Sequence, residues 1–340
     1  MRLLVTGGCG FIGTNFVYLM QERHPDWEII NLDKLTYAGN RKNLLSIENN
    51  NAANYSFVHG DICDKEFVSN TLEEHKIEAV VNFAAESHVD RSINDPAPFL
   101  TTNICGAQNL MECARQAGIE KFVHVSTDEV YGSLGMNDPA FTENNPLEPN
   151  SPYSASKASA DLMARAYFET YNFPVSITRC SNNYGPYQFP EKLIPLMYTK
   201  VITGEQLPIY GDGSNIRDWI YVDDHCTGVE LTLLKGQPGR AYNFGGAAEK
   251  TNLELVHELL AILGKDESLI TYVTDRPGHD QRYAMDYAVA EKELGFAPSV
   301  TFEQGIKKTI KWYQDNGQWL EDVRSGAYRE FMNEWYGDRK

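Results

Sequence analysis

The chain has no paired cysteine motif. Its six cysteines, Cys9, Cys63, Cys105, Cys113, Cys180 and Cys226, are scattered, with no C-x-x-C among them. That pattern argues against a disulfide framework and against a zinc centre, so reduced, mostly buried thiols and no metal are expected. Basic residues are in deficit, 30 Lys and Arg against 47 Asp and Glu, giving a formal net charge of −17. Nucleic-acid binding wants a basic face to neutralise phosphates, and this balance argues against it. No apolar run approaches a membrane span, and Met1-Arg2 leads directly into Leu3-Leu4-Val5-Thr6 with neither the length nor the cleavage site of a signal peptide. The expectation is a cytoplasmic protein with no membrane partner. Internal repeats, low-complexity tracts and long linkers are missing too.

What is there is a chain of 340 residues, 42% hydrophobic and 23% charged, long enough for two lobes. Most of its acidic charge serves solubility. The excess has one consequence for ligands: a phosphate ester would bind only where a minority of Arg and Lys is gathered against an unfavourable overall field.

Leu3–Thr6 reads as a short apolar strand, Gly7-Gly8-Cys9-Gly10-Phe11-Ile12-Gly13 follows at once, and the helical pattern Phe16, Leu19, Met20 comes next. Strand, glycine turn and helix stand in dinucleotide-binding order, although the spacing is G-x-x-G-x-x-G and not G-x-G-x-x-G. Gly7 permits the tight turn, Gly10 lets the backbone approach a pyrophosphate at the helix N-terminus, and Gly13 allows close helix packing. A second strand, Glu28–Asp33, ends in an acid placed to hydrogen-bond the adenosine ribose and repel a 2′-phosphate, which favours NAD over NADP. Lys34 and Arg41 weaken that preference slightly, since either could meet a phosphate.

Further apolar runs, Tyr55–Val58, Ala79–Phe83, Phe122–Val125 and Val175–Thr178, alternate with helical patterns, which predicts a parallel sheet covered by helices on both faces. Ligands of such sheets sit beyond the strands' carboxyl ends, so the residues to read are Asp61-Ile62, Ala84–Ser87, Thr127–Glu129 and Cys180–Asn183. Beyond Arg179 the composition turns polar and turn-rich. Ile209–Asn215 reads as a hairpin tip, Arg217–Val222 as a strand, Thr251–Leu263 as an amphipathic helix and Asp275–Asp280 as a loop. Asp223-Asp224-His225 resembles a metal trio, and helix capping is the preferred reading. The aromatic tail from Trp312 to Tyr336 reads as packing.

One stretch carries chemistry. Phe122–Val125 ends in Ser126-Thr127-Asp128-Glu129, and Ser151-Pro152 opens a helix with Tyr153 and Lys157 on one face, a turn apart. An Asp-Glu pair is commonly no more than a capping or loop feature. A tyrosine titrates near pH 10, too high for a base, and an adjacent ammonium or a nicotinamide cation is expected to lower that value. Downstream of a dinucleotide turn, Tyr153 can then take an alcohol proton as hydride leaves.

Gly7 to Gly13 with Tyr153 and Lys157 resembles the extended short-chain dehydrogenase/reductase family over essentially the whole chain. Thr127–Gly132, Asp33–Gly39, Ala84–Ser92, Ser181–Pro186 and Arg276–Asp280 are similar to its nucleotide-sugar 4,6-dehydratases that act on dTDP-glucose. The resemblance implies oxidation at C4, elimination of water across C5 and C6, and return of hydride to C6. Its roles are Glu129 as base, Asp128 as acid, Thr127 on the 4-hydroxyl, and Tyr153 with Lys157 at the oxidation step. It implies NAD held at Gly7, Gly10, Phe11, Ile12, Gly13, Asp33, Lys34 and Thr36, then Asp61, Ile62, Ala84, Ala85, Ser87, Thr102 and Asn183, with Tyr153 and Lys157. Substrate contacts are implied at Ser87, Thr127–Glu129, Asn182, Glu191, Lys192, Leu193, Arg217, Asn252, Arg276 and His279.

The expected architecture is α/β, a Rossmann-type doubly wound parallel sheet with a smaller mixed α/β lobe. Residues 1–180 and 218–250 would form the NAD-binding domain, and 181–217 with 251–340 the sugar-nucleotide domain. The resemblance also implies a homodimer built on Thr102–Ala117 and Ser154–Tyr171. A UDP-glucose dehydratase, a related epimerase, and a catalytically silent NAD-binding scaffold stand as alternatives.

Overall fold

The computed structural model describes residues 1–50 and 54–324. Its strands in chain order are β1 (Arg2–Thr6), β2 (Glu28–Asp33), β3 (Tyr55–His59), β4 (Ala79–Asn82), β5 (Lys121–Thr127) and β6 (Val175–Cys180). They continue with β7 (Asn182–Tyr184), β8 (Leu207–Tyr210), β9 (Ile216–Tyr221), β10 (Ala241–Phe244), β11 (Glu249–Thr251) and β12 (Ile270–Val273). Seven form one sheet in the order β10-β6-β5-β4-β1-β2-β3, and every pairing in it is parallel. The strand order reverses at β1, which lies between β2 and β4. Such a switch point opens a crevice at the carboxyl edge, where ligands of doubly wound sheets bind.

The sheet is covered on both faces, and outside the edge strand β3 its strands are buried at nearly every position. Side chains alternate with the pleat. Leu4, Ile30, Val80 and Phe122 face the helices Ala107–Gln116 and Pro152–Tyr171. Leu3, Val5, Ile29, Val81 and Val123 face the helices Phe11–Arg23 and Val222–Lys235. This is the doubly wound architecture expected of the sequence.

Outside the large sheet, β11-β9-β7 and β12-β8 make two small ones. They pack against the helices Leu193–Thr203, Asn252–Leu263 and Phe302–Asp315 around Tyr184, Met197, Trp219, Leu255, Ile306 and Tyr313. The helix Asn252–Leu263 begins where expected because Thr251 and Glu254 form a reciprocal capping box, and Gly264 in the left-handed region ends it.

Three sequence expectations are corrected. Ile209–Asn215 is not a hairpin tip: β8 pairs in parallel with β12 and β9 pairs with β7 and β11, so the Gly-Asp-Gly turn passes the chain from one sheet to another. Asp223 and Asp224 do not cap their helix, whose N-cap is Tyr221 without a side-chain bond. Asp224 instead accepts from Ser299 Oγ at 2.6 Å and Val300 N at 2.9 Å, tying down a distant segment. The expected helix from Thr102 is in part a π-helix, Leu100–Gly106, which runs into Ala107–Gln116. In the aromatic tail Trp312 and Trp319 pack together at 5.1 Å, as expected of packing residues. The remainder of that tail, to Tyr336, lies outside the described residues. Among the described residues no helix is long and apolar enough to cross a membrane, and no group of three or more His, Cys, Asp or Glu is placed to hold a metal ion.

Candidate active site

The glycine turn after β1 is built for close approach. Gly7 sits at φ 70°, and a Cβ there would lie 2.7 Å from Ala84 N. A Cβ on Gly13 would lie 2.3 Å from Gly7 O, so the first helix rests directly on the turn. The cradle that a side chain would fill is one wall of a cavity of about 280 Å³ at the carboxyl edge of the sheet. Every residue expected at the cofactor lines this cavity, from Gly7, Gly10, Phe11, Ile12 and Gly13 to Asp33, Lys34 and Thr36. Asp61, Ile62, Ala84, Ala85 and Ser87 follow from the next two strand ends, and Thr102, Tyr153, Lys157 and Asn183 complete the set.

Asp33 is fixed by its own backbone surroundings, accepting from Cys9 N at 2.9 Å and Leu35 N at 2.7 Å. Lys34 is engaged by Asp61 at 2.6 Å and Arg41 by Glu48 at 3.0 Å. Both cations that weakened the preference for an unphosphorylated ribose therefore have carboxylate partners.

β5 delivers the acidic pair. The strand ends at Thr127, whose Oγ1 accepts from Glu129 N at 3.3 Å and lies 3.1 Å from Asp128 Oδ1, and a 3-10 turn, Asp128–Tyr131, follows. Asp128 is buried, Glu129 half-buried, and both line the cavity. Burial raises both carboxyls, but unequally. Asp128 is pushed well above its ordinary value by burial first and then by Glu129, with Asp218 adding to it. Glu129 is raised by burial and drawn back by Arg276, Lys192 and Arg217. Asp128 is therefore the carboxyl shifted further toward its protonated form, while cations around Glu129 favour its charged form.

The helix Pro152–Tyr171 supplies Tyr153 and Lys157, and starts where it does because Ser151 and Ser154 form a capping box with proline in the first turn. Lys157 Nζ donates to Val125 O at 2.7 Å, and burial lowers its pKa to about 8. The expectation that Tyr153 is acidified is not met by the protein's own groups. Burial pushes its phenol well above the ordinary value, and Glu129, Cys180 and Asp128 push in the same direction. A hydrogen bond with Thr127 pulls the other way and is outweighed.

The expected substrate residues fall into two sets. Ser87, Thr127, Asp128, Glu129, Asn182, Glu191 and Lys192 line the cavity; Leu193, Arg217, Asn252, Arg276 and His279 do not. Arg217 is buried and Arg276 half-buried near Glu129, each acting on its charge. Arg217 donates to Asp280 O at 2.9 Å and stacks over Tyr283 at 4.4 Å, while Arg276 pairs with Asp90 at 2.7 Å. His279 Nδ1 is 2.6 Å from Asp275, and Asn252 opens its helix. Glu86, Gln188 and Phe189 also line the cavity and were not singled out. Glu86 lies beyond a strand end already read as ligand-facing, a signal that was available. Gln188 and Phe189 come from an irregular loop after β7, where no periodicity marks a position.

A glycine cradle at a sheet switch point, with a Tyr/Lys helix and an acidic turn at the same edge, defines a dinucleotide-dependent enzyme of the extended short-chain dehydrogenase/reductase type. The chain belongs to the family whose model is described as GDP-mannose 4,6 dehydratase, matched over residues 4–309. It is 51% identical to the dTDP-glucose 4,6-dehydratase of Xanthomonas campestris pv. campestris (strain B100), over 96% of this chain and 97% of that one. Among solved structures, it resembles a dTDP-glucose 4,6-dehydratase from Streptomyces venezuelae with NAD bound, at a TM-score of 0.91 and 52% identity, covering 95% and 100% of the two chains. A UDP-glucose 4-epimerase from Thermotoga maritima is more distant, with a TM-score of 0.85 and 31% identity over 93% and 99%.

Proposed function

We propose that the protein is a dTDP-glucose 4,6-dehydratase, a hydro-lyase that converts dTDP-glucose to dTDP-4-keto-6-deoxyglucose and water. The observation that carries this reading is the adjacent Asp128–Glu129 pair, raised unequally in proton affinity, beside Thr127 and Tyr153 on one cavity. Simple oxidation or epimerisation needs no such pair; elimination needs an acid and a base at one pH.

The glycine turn, Asp33, Thr36, Asp61-Ile62 and Lys157 hold NAD. When bound, NAD supplies the hydride acceptor at C4 and the donor to C6, so the overall reaction is redox-neutral. Thr127 holds the 4-hydroxyl and Tyr153 takes its proton, helped by the positive ring of the cofactor, which opposes the burial that raises the phenol. The resulting C4 ketone acidifies the C5–H bond. Glu129 removes that proton, and the electron pair forms the C5–C6 double bond as Asp128 protonates the leaving C6 hydroxyl, releasing water. Arg217, Arg276 and His279, with Asn252, Asn182, Lys192 and Leu193, bind the nucleotide diphosphate end. These two arginines supply the local positive field that an acidic chain otherwise lacks.

Residues 1–180 and 218–250 are the cofactor portion and 181–217 with 251–340 the sugar-nucleotide portion, with the β7–β9–β11 sheet as their seam. The enzyme works as a homodimer through the segments Thr102–Ala117 and Ser154–Tyr171. The exposure of Leu162 at 57% supports a contact surface on the second of these segments. Six free cysteines support a cytoplasmic setting, where thiols stay reduced. The test is formation of 4-keto product from dTDP-glucose and from UDP-glucose. A clear preference for dTDP-glucose is expected; equal turnover overturns the nucleotide assignment, and no product from either overturns the activity.

A further inference from the structure

Glu191 is at the junction of two loops and a short helix, and both of its carboxylate oxygens are engaged. Tyr37 Oη donates to Oε1 at 2.7 Å and Arg91 Nε donates to Oε2 at 3.1 Å. The side chain is 1% exposed. A carboxylate so buried is tolerated only where a cation and donors compensate it, and losing one partner leaves an uncompensated charge.

The three residues come from functionally distinct places. Tyr37 follows β2 in the loop that begins at Asp33, and its neighbours Thr36, Ala38 and Gly39 line the cavity where Tyr37 itself does not. Arg91 lies in the helix Val89–Asn94 beyond β4. Glu191 immediately precedes Lys192, whose Nζ donates to Ser87 O at 2.6 Å and whose charge acts on Glu129. The Tyr37 ring is held in place from two sides. The Arg91 guanidinium is 3.9 Å from its centroid, and Phe189 meets it edge-on at 5.6 Å. The neighbouring Asp90 carries the connection further, accepting from Arg276 Nη1 at 2.7 Å and Tyr210 Oη at 3.0 Å.

We infer that Glu191 is a positioning residue that couples the cofactor loop at Asp33–Gly39 to the substrate side at Lys192, so that dinucleotide retention and nucleotide-sugar binding are linked through Tyr37 and Arg91. The inference rests on the function proposed above and gives Glu191 a role other than contact with the sugar. Coupling between two sites that bias one shared element is reciprocal: the factor by which one ligand changes the other's affinity applies in both directions.

The experiment uses the full chain loaded with NAD. Two quantities are measured: the rate of NAD loss with and without saturating dTDP, and the affinity for dTDP by calorimetry. In the parent protein dTDP slows NAD loss by about fivefold or more. Tyr37→Phe removes one donor at a residue that does not line the cavity; it weakens dTDP binding and abolishes most of that slowing. Glu191→Gln does the same, and the double variant is no worse than the more severe single one. Arg91→Lys, which keeps the charge but not the Nε donor, uncouples the sites as well, so the test does not depend on one variant folding. Unchanged dTDP affinity in a folded Tyr37→Phe, or strictly additive effects of Tyr37→Phe and Glu191→Gln, overturns the coupling. A parent protein that binds dTDP but forms no 4-keto product is a different result: it overturns the proposed activity, and the linkage is still read from NAD loss.

Discussion

Arg179 Nε donates to Asp161 Oδ2 at 2.8 Å in a layer where both side chains are almost fully buried. The same guanidinium donates to Tyr131 Oη at 2.7 Å, and Tyr131 Oη donates on to Asn243 Oδ1 at 2.8 Å. Tyr131 closes the turn that holds Asp128 and Glu129, so a buried ion pair fixes this acidic turn from behind. Arg179→Met removes one partner and leaves the other charge stranded, a loss of about 3–5 kcal/mol. The urea midpoint should fall accordingly. An unchanged midpoint would show that the pair does not hold the turn.

Asp128 supplies a prediction whose sign follows from burial. Its carboxyl is held well above the ordinary value of 3.8, so between these values the native state keeps a proton that the unfolded chain has lost. With more protons on the native side, stability falls as pH rises through that window. Asp128→Asn removes the term. The variant should therefore gain melting temperature relative to the parent at about pH 7.5 and gain little at about pH 4, measured without substrate. It should also lose dehydration, because an amide cannot protonate the C6 hydroxyl. A variant whose gain is the same at both pH values contradicts a protonated Asp128.

The diphosphate assignment is tested at Arg217, whose guanidinium is buried over the Tyr283 ring. Arg217→Met should raise KM for dTDP-glucose by roughly tenfold to a hundredfold, matching about 1.5–3 kcal/mol for a hydrogen bond to a charged group. The change in kcat should be much smaller, since the contact is made equally in ground and transition states. A loss confined to kcat would place Arg217 at the chemistry and not at the phosphates.

Much of this was legible along the chain because the informative signals are local. The glycine turn, Asp33 at a strand end, the Ser151-Pro152 helix start and the Thr251–Glu254 capping box are each set by residues within a few positions of one another. Six of the large sheet's seven strands followed from apolar runs alternating with helical ones; β10, a four-residue edge strand, was not among them. What was not legible is pairing at a distance. β8 and β9 look like a hairpin because a turn separates them, yet each finds a partner far away in the chain. Asp224 looks like a cap because it begins a helix, and it bonds Ser299 and Val300 instead. The expected acidification of Tyr153 failed for the same reason: the groups that raise its pKa reach it through the fold from β5 and β6.

The central claim is that Glu129 is the base for the C5 proton and acts after oxidation at C4. The direct measurement is NADH absorbance during a single turnover of dTDP-glucose by Glu129→Gln. Oxidation should proceed and dehydration should stall, so NADH absorbance should rise and persist while 4-keto-6-deoxy product stays near zero. Normal turnover by this variant, or stalled turnover with no rise in NADH absorbance, would contradict the assignment.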